Sequence, residues 1–419
     1  MKHHESLPLV PIQRGHGVWL YDFAGKRYLD AVSSWWVNLF GHCNPKIGQA
    51  LKRQLDTLEH AMLAGFTHEP VVELSERLQT LAPNGLGHCF YGSDGASATE
   101  IALKMSFHYW RNHGQAEKNG FISLQNGYHG ETIGALAVTD VAIFRDTYAP
   151  LLRQTAQLPS PDSRLAAEGE SAHDYALRCA DALEIYLAHH GTQTAAFILE
   201  PLVQGAAGMG MYPPIYLQRA RALCTQYHVH LIADEIAVGF GRTGTLFACE
   251  QADISPDFLC LSKGLTGGYL PLSVVMTQDE IYQAFYHDEL SRGFLHSHSY
   301  TGSALACRAA LATLDIFAHE NTIHHNRETA AYLSALLSPI HAHPRVKNFR
   351  HLGMIWAFEL ETTTPDFSRA CFQAALKRSV LLRPIGQTIY LMPPYVINHE
   401  EMLLLAEELR RLVEQFAAH

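Results

Sequence analysis

Two kinds of apolar pattern divide this chain. From about Phe90 to Met276, short continuous apolar runs alternate with stretches whose apolar residues recur at helical spacing. The runs Ala195-Ala196-Phe197-Ile198-Leu199, Val229 to Ala233, Phe258 to Leu261 and Leu272 to Met276 show no polar alternation, which predicts strands buried on both faces. After His88-Cys89-Phe90-Tyr91, residues Ala98, Ile101, Ala102, Met105 and Tyr109 recur at i, i+3, i+4, i+7, the spacing of an amphipathic helix. Buried strands separated by helices predict an α/β domain with a mainly parallel sheet.

Both ends of the chain read differently. Gly17 to Asp30 predicts a hairpin turning at Ala24-Gly25, and Met354 to Leu360 an alternating strand. The last helix is expected to start at Asn398, a good capping residue, with Met402, Leu405, Ala406, Leu409, Val413 and Phe416 on one face. The expected organisation is a large domain over 61–310 and a small α+β domain from 1–60 and 311–419. Pro159 to Glu170, rich in Pro, Ser and Gly, is expected to be a surface loop.

Composition narrows the function classes. At 419 residues the chain can bury a large core, and 47% apolar with 17% charged residues is globular. The net charge of −10 is dispersed, which argues against nucleic acid or an anionic membrane as partner. Eight scattered cysteines without a Cys-x-x-Cys pair predict buried free thiols in a reducing compartment. No apolar run approaches a membrane span, and Met1-Lys2-His3-His4-Glu5 lacks a signal-peptide core, so a cytoplasmic protein is expected. Of the 26 histidines, His228/His230, His296/His298 and His341/His343 lie two apart without ligands at zinc spacing, so no metal site is expected.

Two strand ends carry the candidate chemistry. Val229 to Ala233 ends on Asp234-Glu235, and Phe258 to Leu261 ends on Ser262-Lys263-Gly264. An amine and an acid on the ends of two buried strands suit pyridoxal phosphate, whose aldehyde needs a lysine for its Schiff base and whose ring nitrogen needs a carboxylate. Ser93-Asp94-Gly95-Ala96-Ser97 joins a strand to a helix and offers either a phosphate site or an ordinary capping turn. Asn126-Gly127-Tyr128-His129-Gly130 puts an aromatic between glycines, either for stacking on a flat cofactor or as an exposed turn. Gly239-Phe240-Gly241-Arg242-Thr243-Gly244 spells a dinucleotide fingerprint with Asp257 beyond it. Asp234 to Val238 separate it from its strand and Pro256 leaves little room for a crossover helix, so a nicotinamide dehydrogenase is disfavoured.

Together, Asp234-Glu235, Gly239 to Gly244 and Ser262 to Gly268 resemble the class III pyridoxal-phosphate aminotransferases, from about Pro8 to the C-terminus. Ser33-Ser34-Trp35-Trp36, Arg383-Pro384-Ile385-Gly386 and Ile389 to Tyr395 resemble the subgroup of biotin synthesis. That subgroup moves an amino group from S-adenosylmethionine to 8-amino-7-oxononanoate. The resemblance implies a homodimer of the aspartate-aminotransferase type, fold type I, with active sites at the interface. It implies Lys263 and Asp234 at the cofactor, Gly95 and Ala96 at its phosphate, Tyr128 on its ring, and His298 and Ser299 reaching the phosphate of the other subunit. It also implies substrate contacts at Trp35, Trp36, Tyr128, Glu131, Arg242, Ser297 and Arg383.

The chain departs from the pattern in three places. His298 stands where the family usually has Pro, Glu131 where the subgroup usually has Asp, and the chain begins just before Leu7-Pro8, without the Trp-His-Pro segment members usually carry. That segment bears on substrate affinity rather than cofactor chemistry. Rival expectations are an aminotransferase using an ω-amino acid, ornithine or lysine as donor, the dehydrogenase, and a catalytically inactive relative that only binds ligands.

Overall fold

The computed structural model describes residues 9–417, so the start before Leu9 lies outside it. Seven strands form the main sheet: β1 (Leu86–Gly92), β2 (Gly120–Leu124), β3 (Ala156–Leu158), β4 (Thr194–Leu199), β5 (His230–Asp234), β6 (Phe258–Leu261) and β7 (Ser273–Gln278), in the order β1-β7-β6-β5-β4-β2-β3. All pairs are parallel except those of β7, which runs against both β6 and β1. Every residue of β4, β5 and β6 is buried, as their unbroken apolar runs require. Six strands therefore point one way, and their carboxyl ends share one edge, where open α/β sheets place their ligands.

Helix α1 (Gly95–Asn112) starts there because Asp94 caps it, its Oδ1 accepting the Ser97 N–H at 2.9 Å. Its face of Ala98, Ile101, Ala102, Met105 and Tyr109 joins Ile198, Ile232, Cys260 and Val275 in one buried cluster. Each large apolar side chain buried this way contributes about 1.5–3 kcal/mol.

The described chain forms two compact units, one of Leu51–Phe240 and Thr245–Leu314, the other of the two ends up to Ala50 and from Asp315, together with Gly241–Gly244. In the second unit, Trp19–Asp22 and Arg27–Asp30 form the expected hairpin. Gly25 supplies its turn at φ +83°, and Asp22 Oδ1 accepts the N–H groups of Ala24 and Lys26. Ile355–Leu360 is the middle strand of a three-stranded sheet, and the last helix, His399–Ala417, is capped reciprocally by Asn398 and Glu401.

Two expectations change. The Pro159–Glu170 stretch is not simply a surface loop: Ser160 and Asp162 are buried, where Ser160 Oγ donates to Gln204 and Asp162 pairs with Arg164. Polar residues can enter the interior when they are hydrogen-bonded there, and composition alone does not reveal it. All eight cysteines are unpaired, but Cys43 is exposed and Cys89 half-buried.

Candidate active site

At the carboxyl edge of the main sheet, β5 delivers Asp234 and β6 delivers Lys263, with Asp234 paired to Cys260 in the parallel register. Asp234 is buried, and its Oδ2 accepts the Nδ1–H of the equally buried His129 at 2.7 Å. Its Oδ1 accepts the Ile236 N–H at 3.1 Å. His129 is itself held at both backbone ends, by Thr139 Oγ1 and by the Thr99 hydroxyl. With its Nδ1 committed, the buried Nε2 of His129 has no partner among the described residues, an arrangement uncommon in a finished interior.

Glu200, which ends β4, closes the cluster. Its carboxylate accepts the N–H groups of Tyr128 at 3.0 Å and Gly205 at 2.9 Å. Burial, with the nearby charge of Asp234, pushes its carboxyl up to about 7. Burial pushes the Lys263 amine down, against the opposing pull of Asp234 and Glu200. Lys263 also adopts φ +44°, an uncommon conformation for a residue with a side chain and one that clusters at functional sites. Glu235, next to Asp234, faces away from this chemistry: it accepts the N–H groups of Ala248 and Cys249 and braces the following loop.

The Ser93–Ser97 turn, expected at the phosphate, lies close to this group in space, with Gly95 against Ile236 and Ala96 against Gly130. α1 opens at Gly95 and Ala96, whose N–H groups fall in the first turn, where no intrahelical acceptor exists. A Cβ at Gly95 would stand 2.9 Å from the Ile236 side chain, so any larger residue there would require Ile236 to shift. His298 Nδ1 lies 3.0 Å from Ser93 Oγ beside this turn, and its Nε2 lies 3.1 Å from that of His296. Ser299 offers its carbonyl to His60, and Tyr128 donates its hydroxyl to Glu131 at 2.9 Å. An amine, a buried carboxylate with a donor behind it, an aromatic and a helix start share one sheet edge, and this donor set fits pyridoxal phosphate.

Trp35, Trp36, Arg242 and Arg383 belong to the other unit. There, residues Ser33 to Trp36 form one turn of left-handed helix, with φ of 49°, 45°, 72° and 72° and the Trp36 N–H bonded to the Val32 carbonyl. Such a turn costs about 1–2 kcal/mol per residue for side-chain-bearing residues. It separates the two tryptophans. Trp36 is buried and donates Nε1–H to Tyr390, whereas Trp35 is 62% exposed with the Arg383 guanidinium 5.3 Å from its ring centre.

Arg242 corrects its expectation. It is buried, donates to the carbonyls of Pro393 and Asn38, and lies over the Tyr395 ring, so it is not presented to a substrate. Gly239 to Gly244 form turns that open no helix, and Asp257 is engaged by Arg221 and the Leu231 N–H, which removes the dinucleotide reading. His129 and Glu200 were not among the sequence candidates. Glu200 carries the same signal as Asp234, an acid closing an apolar run, while His129 shows its role only through a contact 105 residues away. No group of three His, Cys, Asp or Glu side chains among the described residues could hold a metal.

Fold and site define a pyridoxal-phosphate-dependent transferase. The family model "Aminotransferase class-III" matches residues 1–413, and the chain belongs to that family. It is 48% identical to the adenosylmethionine-8-amino-7-oxononanoate aminotransferase of Helicobacter pylori, over 96% of this chain and 91% of that one. A crystal structure of the Methanocaldococcus jannaschii enzyme of the same name superposes with TM-score 0.92 at 35% identity, covering 99% of this chain and 95% of the other. A pyridoxal-phosphate-bound amine transaminase from an uncultivated Pseudomonas species also gives 0.92, at 31% identity, covering 98% and 95%.

Proposed function

We propose that this enzyme transfers an amino group from S-adenosylmethionine to 8-amino-7-oxononanoate, giving 7,8-diaminononanoate. The observation that carries this choice of substrates is Trp35 with Arg383 beside its ring: an exposed aromatic suited to a sulfonium nucleoside and an aliphatic chain, and a guanidinium suited to a carboxylate. The names of the relatives support it, whereas the fold is shared equally with amine transaminases.

Bound at the sheet edge, pyridoxal phosphate supplies an aldehyde for amine condensation and a ring that takes up electron density from the substrate carbon. Asp234 would hold the ring-nitrogen proton, and the His129 Nδ1–H keeps that carboxylate in place. Gly95 and Ala96 would hold the phosphate through their N–H groups, and Tyr128 would stack on the ring. Lys263, whose amine burial favours in the neutral form, takes and returns the proton at Nζ. Glu131 fixes the Tyr128 hydroxyl. In a homodimer, His298 and Ser299 would reach the phosphate of the partner subunit, His298 exchanging its contact with Ser93, and Ser297 would contact substrate. The eight unpaired cysteines suit a cytoplasmic enzyme.

A single-turnover experiment tests the donor. S-adenosylmethionine should discharge the visible band of the loaded enzyme and lysine should not. Discharge by lysine alone would replace this reading with the lysine-donor one.

A further inference from the structure

We propose that Asp30 and His42 are positioning residues for substrate selection: they clamp the left-handed turn Ser33 to Trp36 and so set where the Trp35 and Trp36 rings stand. The inference rests on the reading of that turn as a substrate wall.

The turn contains no glycine, yet four successive residues have positive φ. A chain left to itself would relax to right-handed geometry, so the surroundings must determine this one. They do so through Asp30, fully buried at the end of the Arg27–Asp30 strand. Its Oδ1 accepts the N–H groups of Val32 at 3.3 Å and Ser34 at 3.0 Å, and its Oδ2 accepts the Ser34 hydroxyl at 2.6 Å and His42 Nε2–H at 3.0 Å. One carboxylate thus binds both the entry and the middle of the turn.

His42 is fixed in turn. The Asn38 side-chain amide donates to its Nδ1 at 3.1 Å, which leaves the proton on Nε2, facing Asp30. Its backbone bridges Gly17 in both directions, and a Cβ on Gly15 would stand 2.6 Å from its own Cβ, so the strand Ile12–His16 passes close against it. Behind Asn38, Arg242 donates to the Asn38 carbonyl at 3.3 Å. The buried arginine of the glycine-rich motif thus ends a chain of contacts running through Asn38 and His42 to Asp30 and the tryptophans. None of Asp30, His42, Asn38 and Arg242 has a part in the proton transfers assigned to Lys263.

The test uses the cofactor-loaded enzyme with Asp30→Asn, His42→Ala, Trp35→Ala and the Asp30→Asn/Trp35→Ala pair. Asp30→Asn and His42→Ala should retain cofactor and change the near-ultraviolet tryptophan dichroism. Each should raise KM for S-adenosylmethionine and for the ketone about tenfold, with kcat within about threefold. The pair should be no worse than the poorer single variant, because the turn held by Asp30 acts on substrate through its exposed ring, Trp35, while Trp36 is buried. Should Asp30→Asn not fold, His42→Ala, which removes one of four donors, carries the test. A raised KM in Trp35→Ala with unchanged KM in the Asp30 and His42 variants overturns the clamp while leaving the wall. Unchanged KM in Trp35→Ala overturns the wall and the proposal with it.

Discussion

Lys118 and Lys263 lie in one unit, at opposite edges of the same sheet, and burial lowers the amine pKa of both. Lys118, brought down to about 8, sits at the amino ends of the strands and donates to three carbonyls, Gly191 at 2.9 Å, Thr194 at 3.1 Å and His228 at 2.7 Å. Its neighbours are equally committed: His230 to Ser106, and Asp257 to Arg221 and the Leu231 N–H. At the carboxyl edge, Lys263 faces the charges of Asp234 and Glu200, and His129 keeps a buried nitrogen without a partner among the described residues. A shifted amine therefore does not by itself mark a site. Nor does an opposing acid, since Glu117 opposes the shift at Lys118 as Asp234 and Glu200 do at Lys263. What marks the site is a group of buried acids around His129, whose hydrogen bonding is left incomplete among the described residues.

Removing each amine should separate the two edges most sharply. Lys263→Ala should lower transamination by roughly 10⁴-fold or more with little change in melting temperature, measured by steady-state assay and calorimetry. Asp234→Asn should cost about 10²–10³-fold, because the amide cannot hold the ring-nitrogen proton as a carboxylate does, and should leave the fold intact. Lys118→Met should do the opposite, costing about 2–4 kcal/mol of stability through three orphaned carbonyls, while the protein that remains folded keeps its kcat.

The smallest expected effect is one of pH. Burial pushes His230 down to about 4, so the folded state favours the neutral ring. Its contribution to stability is fully present above the unfolded value of about 6.5 and is lost as pH falls through about 4, amounting to no more than about 3 kcal/mol. In wild type the denaturant midpoint should fall across this window, and His230→Phe should flatten that slope. An equal slope in the variant would assign the loss to other groups.

The sequence made this edge legible where charge interrupts hydrophobicity. Asp234 and Lys263 stand out because each ends a strand buried on both faces, and the same rule applied to Ala195–Leu199 finds Glu200. The hairpin and the capped last helix were equally open to local rules. Long-range partners were not. Nothing in Ser33-Ser34-Trp35-Trp36 signals left-handed geometry, since no glycine marks it and the acid that holds it belongs to the preceding strand. Arg242 reads as a charged loop residue until the carbonyls of Asn38 and Pro393, 204 and 151 residues away, take up its guanidinium.

The central claim is that the amine at the carboxyl edge, and not the one at the amino edge, carries the cofactor. Reducing the loaded enzyme with borohydride and mapping the modified peptide by mass spectrometry tests it directly. The pyridoxyl group is predicted on Lys263, with Lys118 unmodified. A label on Lys118, or on any other lysine while Lys263 stays bare, would contradict it.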